Sequence, residues 1–350
     1  MKLIESPLYN NNLERIVNRF TFSELLGKRV FVTGGLGLIG SSIVDLLLKI
    51  NEHPEGKIDI SVGGRNKEKF FARYGKETEK LHFIHYEARK ALELNNDKFD
   101  YIILASGASS PELYVSEPVE TVEGNIIGIK NVLEYGKKNP RTRIIYVSSS
   151  EVYGIKTTKN PFSEEMYGYI NYSNIRSSYA VGKIASEMLC RSYYKEYNIP
   201  SIIVRPGHIF GPSANEYDQR VASLFMRKAL KKEKLVLNST GLQKRSYCYS
   251  LDCAAAMLFL LIHGEAGESY NIGSDEETSI LEMTTIIAEE AGIDFSYKTP
   301  SKEEKEMSNP MDYAVLDSEK LKKSGFDFSF SPKEGFINTY RILKEMESGN

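Results

Sequence analysis

The chain has 350 residues, 41% hydrophobic and 26% charged, with 45 Lys+Arg against 47 Asp+Glu and a formal net charge of -2. These ordinary globular values exclude a disordered chain, a collagen-like fibre and a coiled-coil rod, and the length suits about two domains. A balanced surface gives no basic excess for nucleic acid and nothing that recruits the chain to an anionic membrane.

Residues 1–12 are polar and lack the apolar segment of a secretory signal. In residues 12–26, Leu13, Ile16, Val17, Phe20, Phe22 and Leu25 predict a short helix lying on the body or on a partner subunit. From Lys28 the pattern becomes strand, Gly-rich turn and helix. Val30-Phe31-Val32 is a β-favouring run, and the apolar residues within 39–50 predict a helix against a sheet. Further strands are expected at 58–62, 83–84, 101–104, 143–147 and 201–204, with helices at 121–138 and 179–197. This alternation predicts an α/β fold, a doubly wound parallel sheet. Continuous β-branched runs fit strands buried on both faces. After Pro206 the loops lengthen, and a smaller C-terminal α/β lobe is expected there. The apolar stretch 253–262 is too short for a membrane span, which needs roughly 18 residues. Cys190, Cys248 and Cys253 form no disulfide framework and suit a reducing cytosol. The five histidines show no metal-ligand spacing, and no metal is expected.

Two features carry chemistry. In Thr33-Gly34-Gly35-Leu36-Gly37-Leu38-Ile39-Gly40, glycines at 34, 37 and 40 follow a strand and open a helix. The glycines permit a sharp turn and close approach to a pyrophosphate, and the N–H groups of the helix start at Leu38 and Ile39 face the phosphates. The second strand ends in Gly63-Gly64-Arg65-Asn66-Lys67, without the carboxylate that favours NAD. Arg65, with Asn66 and Lys67 beside it, is a candidate for holding a 2′-phosphate and tilts the reading towards NADP; the bland alternative is a surface charge.

The second feature is Tyr179-x-x-x-Lys183, an i, i+4 pair on one helical face. A neighbouring ammonium is expected to lower the phenol pKa, making Tyr179 an acid/base for a sugar hydroxyl. Ser148-Ser149-Ser150 ends the strand at 143–147, at the sheet edge where such folds bind ligands.

These landmarks, with Glu151-Val152-Tyr153-Gly154, the 205–212 turn and 245–252, resemble the extended short-chain dehydrogenase/reductases of the nucleotide-sugar epimerase/dehydratase/decarboxylase group. The resemblance covers 27–345. It implies an N-terminal extension at 1–26, a Rossmann domain binding NAD(P) at 27–205 with 245–273 returning to it, and a substrate lobe over 206–350. It implies Ser149 and Tyr179 as catalytic residues, with Lys183 also holding the nicotinamide ribose. Ala105, Ser106, Gly107 and Pro206 would line the cofactor. Ser109, Ser110, Ser150, Arg176, His208 and Arg245 would meet the nucleotide-sugar substrate, with Arg245 on the diphosphate and His208 where many relatives have Asn. NAD is the cofactor the family implies, against the NADP tilt of Arg65. A cytoplasmic homodimer is implied, built from the helices after Gly107 and at Tyr179.

Three reactions share the initial oxidation to a keto sugar. Dehydratases resemble Thr-Asp-Glu where this chain has Ser149-Ser150-Glu151, so the acid is missing. Decarboxylases resemble the 149–154 segment and 176–183, but carry a Glu at Val181 and an arginine near the segment Asn309-Pro310-Met311-Asp312. Epimerases need Ser149, Tyr179 and Lys183, and either room to turn or a base such as Glu151. Epimerase is therefore the first expectation, decarboxylase the second and dehydratase the third. A keto-sugar reductase consuming NADPH and a non-catalytic dinucleotide-binding protein are further alternatives.

Overall fold

The computed structural model describes residues 1–92, 98–107, 111–299 and 311–348. Its strands are β1 Arg29–Thr33, β2 Asp59–Gly64, β3 Leu81–His85, β4 Tyr101–Leu104, β5 Arg143–Val147, β6 Ser201–Pro206, β7 His208–Phe210, β8 Leu235–Leu237, β9 Lys244–Tyr249, β10 Ser269–Ile272, β11 Glu277–Ser279, β12 Phe295–Tyr297 and β13 Tyr313–Ala314. Its α-helices are α1 Pro7–Arg19, α2 Leu38–Ile50, α3 Lys67–Tyr74, α4 Pro111–Ser116, α5 Pro118–Lys138, α6 Ser178–Tyr197, α7 Val221–Leu230, α8 Ser250–His263, α9 Ile280–Ala291, α10 Glu319–Lys323 and α11 Pro332–Ser348.

The β-branched runs become the interior of a wholly parallel sheet. Among the described residues its order is β3-β2-β1-β4-β5-β6-β10, seven strands in all. Strand alternation sends side chains to opposite faces. Val30 and Val32 of β1 pack into one core with Ile43, Val44 and Leu47 of α2 and Leu258 of α8. Phe31, between them, enters the other core with Ile129, Val132 and Leu133 of α5 and Cys190 of α6. Both faces are therefore covered, and this is a Rossmann-type sheet. Its strand order reverses between β1 and β4, and the crevice at their C-terminal ends is where such sheets take ligands.

After β6 the chain builds a smaller layer. β7 and β13 run parallel to β9, while β11 runs antiparallel to it. β8 and β12 form a separate parallel pair. Of residues 245–273, α8 packs against α2 and β10 joins β6 in the large sheet, whereas β9 stays in the smaller one.

The N-terminal helix lies earlier than the periodicity of 12–26 indicates. α1 starts at Pro7, capped by Ser6, whose Oγ accepts the Tyr9 N–H at 3.1 Å. Proline at the first helical position and serine just before it are start signals. Phe22 and Leu25 belong instead to a separate 3-10 turn, Ser23–Leu25, with its own buried contacts. α1 lies on the body: Tyr9, Leu13 and Ile16 are buried, and the Tyr9 hydroxyl donates to Asp45 of α2 at 2.7 Å.

No described helix is long and apolar enough to cross a membrane. Cys190, Cys248 and Cys253 are buried free thiols. Among the described residues no cluster of three or more His, Cys, Asp or Glu forms a metal site.

Candidate active site

The strand ends of the large sheet and the smaller layer enclose a cavity of about 850 Å³. On one side lies the Gly-rich turn. Gly34 has φ +65, and a Cβ there would sit 2.8 Å from the backbone of Ala105 and Ser106. A Cβ on Gly40 would meet the Gly34 carbonyl at 2.3 Å, so α2 packs on the turn only with glycine there. Gly37 differs: a Cβ would find nothing closer than 3.4 Å within the protein. Gly37 also opens α2 without a side-chain cap, with Leu38 and Ile39 as the first helical residues. The protein's own packing does not require glycine at 37, whereas a backbone-hugging anion does.

Ala105, Ser106 and Gly107 follow β4 into the same cavity, and Pro206 and Ile39 line it. Thr33 Oγ1 holds the Ser106 hydroxyl at 3.1 Å, fixing the β4 end against the turn. Ser109 and Ser110 lie outside the described residues.

Ser149 ends β5 and caps a 3-10 turn, Ser150–Tyr153, with its Oγ accepting the Glu151 N–H at 3.2 Å. Tyr179 and Lys183 project from the first turns of α6 into the cavity wall beside it. The Lys183 ammonium lies 5.6 Å from the Tyr179 ring centre and donates to the Val147 carbonyl at 2.7 Å. Burial pushes the Tyr179 phenol up to about 12, and the Glu151 charge adds to this, against hydrogen bonds from Ser149 and Tyr114. Burial also pushes Lys183 down to about 7, partly offset by Glu187. The expected lowering of the phenol by Lys183 is therefore not the state of this site. Desolvation dominates, and it destabilises both charged forms at once.

Glu151 and Arg176 form a bidentate ion pair, with contacts of 3.1 and 3.3 Å. Both side chains are largely sheltered, so the pair holds Glu151 in one orientation. Ser150 is buried in the wall next to it.

The far wall carries cations. Arg245 is buried and, among the described residues, donates only to carbonyls, Lys244 O at 2.9 Å and Asp312 O at 3.3 Å. The Asp312 side chain itself is exposed. His208 lies between Arg245 and Arg220, and burial with these two charges drives its imidazole down to about 3. Its Nδ1 is buried without a hydrogen-bond partner among the described residues.

Two residues here escape sequence reasoning. Arg220 precedes the first residue of α7, lines the cavity and is gripped by Asp218 through contacts of 2.6 and 2.9 Å. Tyr114 of α4 stacks on Tyr179. An Asp-x-Arg pair in a polar loop is the only signal for the first, and it is a weak one.

Arg65 lies apart from the cavity, exposed after β2, while Asn66 Oδ1 caps α3 through the Lys69 N–H at 2.8 Å.

The model of a family described as "NAD dependent epimerase/dehydratase family" matches residues 30–273. The chain belongs to that family. Members of the NAD dependent epimerase/dehydratase family similar to it include UDP-glucuronic acid decarboxylase 6 of Arabidopsis thaliana. That protein is 31% identical over 261 residues, which are 75% of this chain and 74% of the relative. A dTDP-glucose 4,6-dehydratase from Bacillus anthracis, solved with NAD, superposes with a TM-score of 0.76 at 25% identity, covering 92% of this chain and 98% of that one. The UDP-N-acetylglucosamine 4-epimerase of Methanobrevibacter ruminantium shares the fold, with a TM-score of 0.79 at 23% identity over 91% of this chain and 99% of that one. These relatives are named as enzymes, and the family's cofactor is NAD(P). The open face at Gly37 and the uncapped start of α2 fit the pyrophosphate of such a dinucleotide.

Proposed function

We propose that this protein is a nucleotide-diphosphate-sugar epimerase that works through a transient keto sugar and regenerates its NAD(P). One arrangement carries the reading: Ser149, Tyr179 and Lys183 converge, and beside them stand Ser150 and an Arg176-held Glu151. A dehydratase needs an acid where Ser150 stands, and a hydroxyl is a poor proton donor. A decarboxylase needs a cation for the substrate carboxylate, and Arg176, next to the catalytic set, is already engaged by Glu151.

Bound NAD(P) supplies the hydride acceptor and later the hydride donor. Tyr179 would take the proton of the sugar hydroxyl as its phenolate, a form that the positive charge of bound oxidised NAD(P) would favour over the neutral phenol of the free site, while the Ser149 hydroxyl donates to the same oxygen. Lys183 reaches the ribose beside the nicotinamide. Arg245, which among the described residues donates only to carbonyls, offers its fork to the diphosphate. His208 stays neutral between the two guanidiniums and presents Nδ1 as an acceptor to a substrate hydroxyl. Glu151, held in place by Arg176, removes the proton from the carbon beside the ketone. Glu151 would lose that proton to solvent, water would deliver one to the opposite face and so invert the carbon, and Tyr179 would return its proton to the oxygen as the ketone goes back to a hydroxyl.

Incubation with UDP-, GDP-, CDP- and dTDP-sugars, followed by NMR, tests the proposal. The expected product is an epimer with every carbon retained and no net NAD(P)H consumed. A 6-deoxy-4-keto product or stoichiometric NADPH oxidation would overturn it. The second reading, decarboxylation, draws on the Arabidopsis relative and predicts release of CO2 from UDP-glucuronate.

The same proposal includes a homodimer. Val181, Ile184 and Met188 are exposed along one face of α6, and Val119 is exposed on the neighbouring α5. Spacing of i, i+3 and i+7 makes one apolar stripe, which a two-fold partner would bury.

A further inference from the structure

A chain of polar side chains runs from α1 to the Gly-rich turn. The Tyr9 hydroxyl donates to Asp45 Oδ2 of α2 at 2.7 Å. The same carboxylate pairs with the Arg73 guanidinium of α3. Arg73 Nε donates to the Tyr74 hydroxyl at 3.1 Å, and that hydroxyl donates to the Gly35 carbonyl at 3.4 Å. Burial pushes the Tyr9 and Tyr74 phenols up, so both hydroxyls stay protonated and can donate. The Tyr9 ring and the Asp45 side chain are wholly buried. None of Tyr9, Asp45, Arg73 and Tyr74 lines the catalytic cavity, and the mechanism above leaves all four unused.

The chain ends on a peptide that is held from both sides. The Gly35 N–H donates to the Gly63 carbonyl of β2 at 3.3 Å, and the Gly35 carbonyl accepts from Tyr74. A Cβ on Gly35 would lie 2.8 Å from Val62 and 3.1 Å from the Val32 carbonyl, so the turn is seated directly on the sheet. Gly37, whose open face fits a pyrophosphate, follows in the same turn. Arg73 reaches the smaller layer as well, where its Nη2 donates to Ser213 Oγ at 3.2 Å in the loop after β7.

We infer that α1 is an arm of the cofactor site, with Tyr9 and Tyr74 as positioning residues that preset the Gly-rich turn for the dinucleotide pyrophosphate. They act through Asp45, Arg73 and the Gly35 carbonyl. A turn already held in its bound shape loses less freedom on binding, and the difference appears as affinity. Without the Tyr9 hydroxyl, Arg73 alone fixes the Asp45 carboxylate, and the Arg73–Tyr74–Gly35 end of the chain loosens. The inference rests on the dinucleotide reading of the Gly-rich turn and is independent of the reaction proposed above.

Calorimetry on the full chain, freed of bound nucleotide, tests it with NAD and NADP, scored on the one that the wild type binds more tightly. Tyr74→Phe keeps the ring against Phe70 and removes only the hydroxyl. It should weaken binding about threefold to tenfold, the scale of one hydrogen bond. Tyr9→Phe, further from the turn, should weaken it by at least about twofold. The double variant should lose less than the product of the two single losses, because both act along one chain. Hydrogen exchange adds a readout that a merely structural α1 would not move. Coupling is reciprocal, so saturating dinucleotide should slow exchange of the α1 amides in the wild type, and Tyr74→Phe should remove most of that slowing. Unchanged affinity in Tyr9→Phe, with only a lower Tm, would overturn the inference. So would α1 amides that exchange alike with and without dinucleotide, or independent losses in the double variant. A wild type that binds neither dinucleotide would remove the dinucleotide reading and the inference with it.

Discussion

Tyr114 lies flat against Tyr179, with ring centres 4.2 Å apart and planes within 6° of parallel. Both rings are almost fully buried in the cavity wall. The stack fixes the plane in which the Tyr179 hydroxyl can meet a substrate and helps exclude the water that would otherwise solvate it. Tyr114→Ala is expected to lower kcat by about tenfold to a hundredfold, because misplacement of the acid/base costs proximity. It should also shift the acid limb of the kcat/KM profile to lower pH as water reaches the phenol. Tyr114→Phe should keep the stack and most of kcat. Steady-state kinetics across pH on both variants checks this.

Tyr179→Phe should fold normally and lose turnover by about 10² to 10⁴, the usual range for a lost general acid/base. The stack on Tyr114 survives this change, so near-wild-type kcat with an authentic substrate would remove Tyr179 from the mechanism.

Lys183 should make the free protein less stable at neutral pH than at high pH. Its folded pKa, about 7, lies below its ordinary 10.5, so the unfolded chain binds more protons between those values. Stability therefore rises with pH across that window. Tyr179 acts oppositely above pH 10, because its folded pKa is raised to about 12. Lys183→Met should abolish activity yet raise stability at pH 7 by roughly 2–4 kcal/mol, the order expected for removing a desolvated charge. Urea titrations at pH 7 and pH 9.5 should show the wild type gaining on the variant as pH rises.

Glu151→Gln should keep the initial oxidation, since Ser149, Tyr179 and Lys183 are untouched. It should abolish the entry of solvent deuterium at the carbon beside the ketone. It should also cost about 1–3 kcal/mol of stability, because Arg176 loses its charged partner. NMR in D2O reads the first effect and thermal melts the second. Full activity with deuterium wash-in would show that exchange needs no Glu151.

Met188→Glu, with Ile184→Asp, places charge in the exposed stripe of α6. Light scattering is expected to report a dimer for the wild type at micromolar concentration and a monomer for the double variant. A monomeric wild type would count against the assembly.

The Rossmann sheet was legible because Val30-Phe31-Val32 and the runs at 143–147 and 201–204 are continuous β-branched stretches between turn residues. The smaller layer was not, since β7, β8, β11 and β12 have three residues each and three residues carry no periodicity. Tyr179 and Lys183 could be paired from their spacing, and Ser149 was singled out from Ser148-Ser149-Ser150 only by the family resemblance. Their protonation could not, because it depends on how deeply the surrounding side chains bury them. The Glu151–Arg176 pair joins residues 25 apart through a tertiary turn, which no local pattern reports. Arg220 was hidden for a related reason: it precedes a helix whose start carries no side-chain cap.

The docking of α1 has a kinetic consequence. Ser6 donates to Glu345 at 2.5 Å across 339 residues of chain, and Arg15 pairs with Glu334 of α11 at 2.6 Å. Closing a loop of that length costs roughly 5 kcal/mol of chain entropy, so these contacts form after the sheet has brought the two ends together. The same order runs in reverse on opening. α1 should peel away first, and its amides should exchange with deuterated solvent well before those of α2, whose Asp45 it covers.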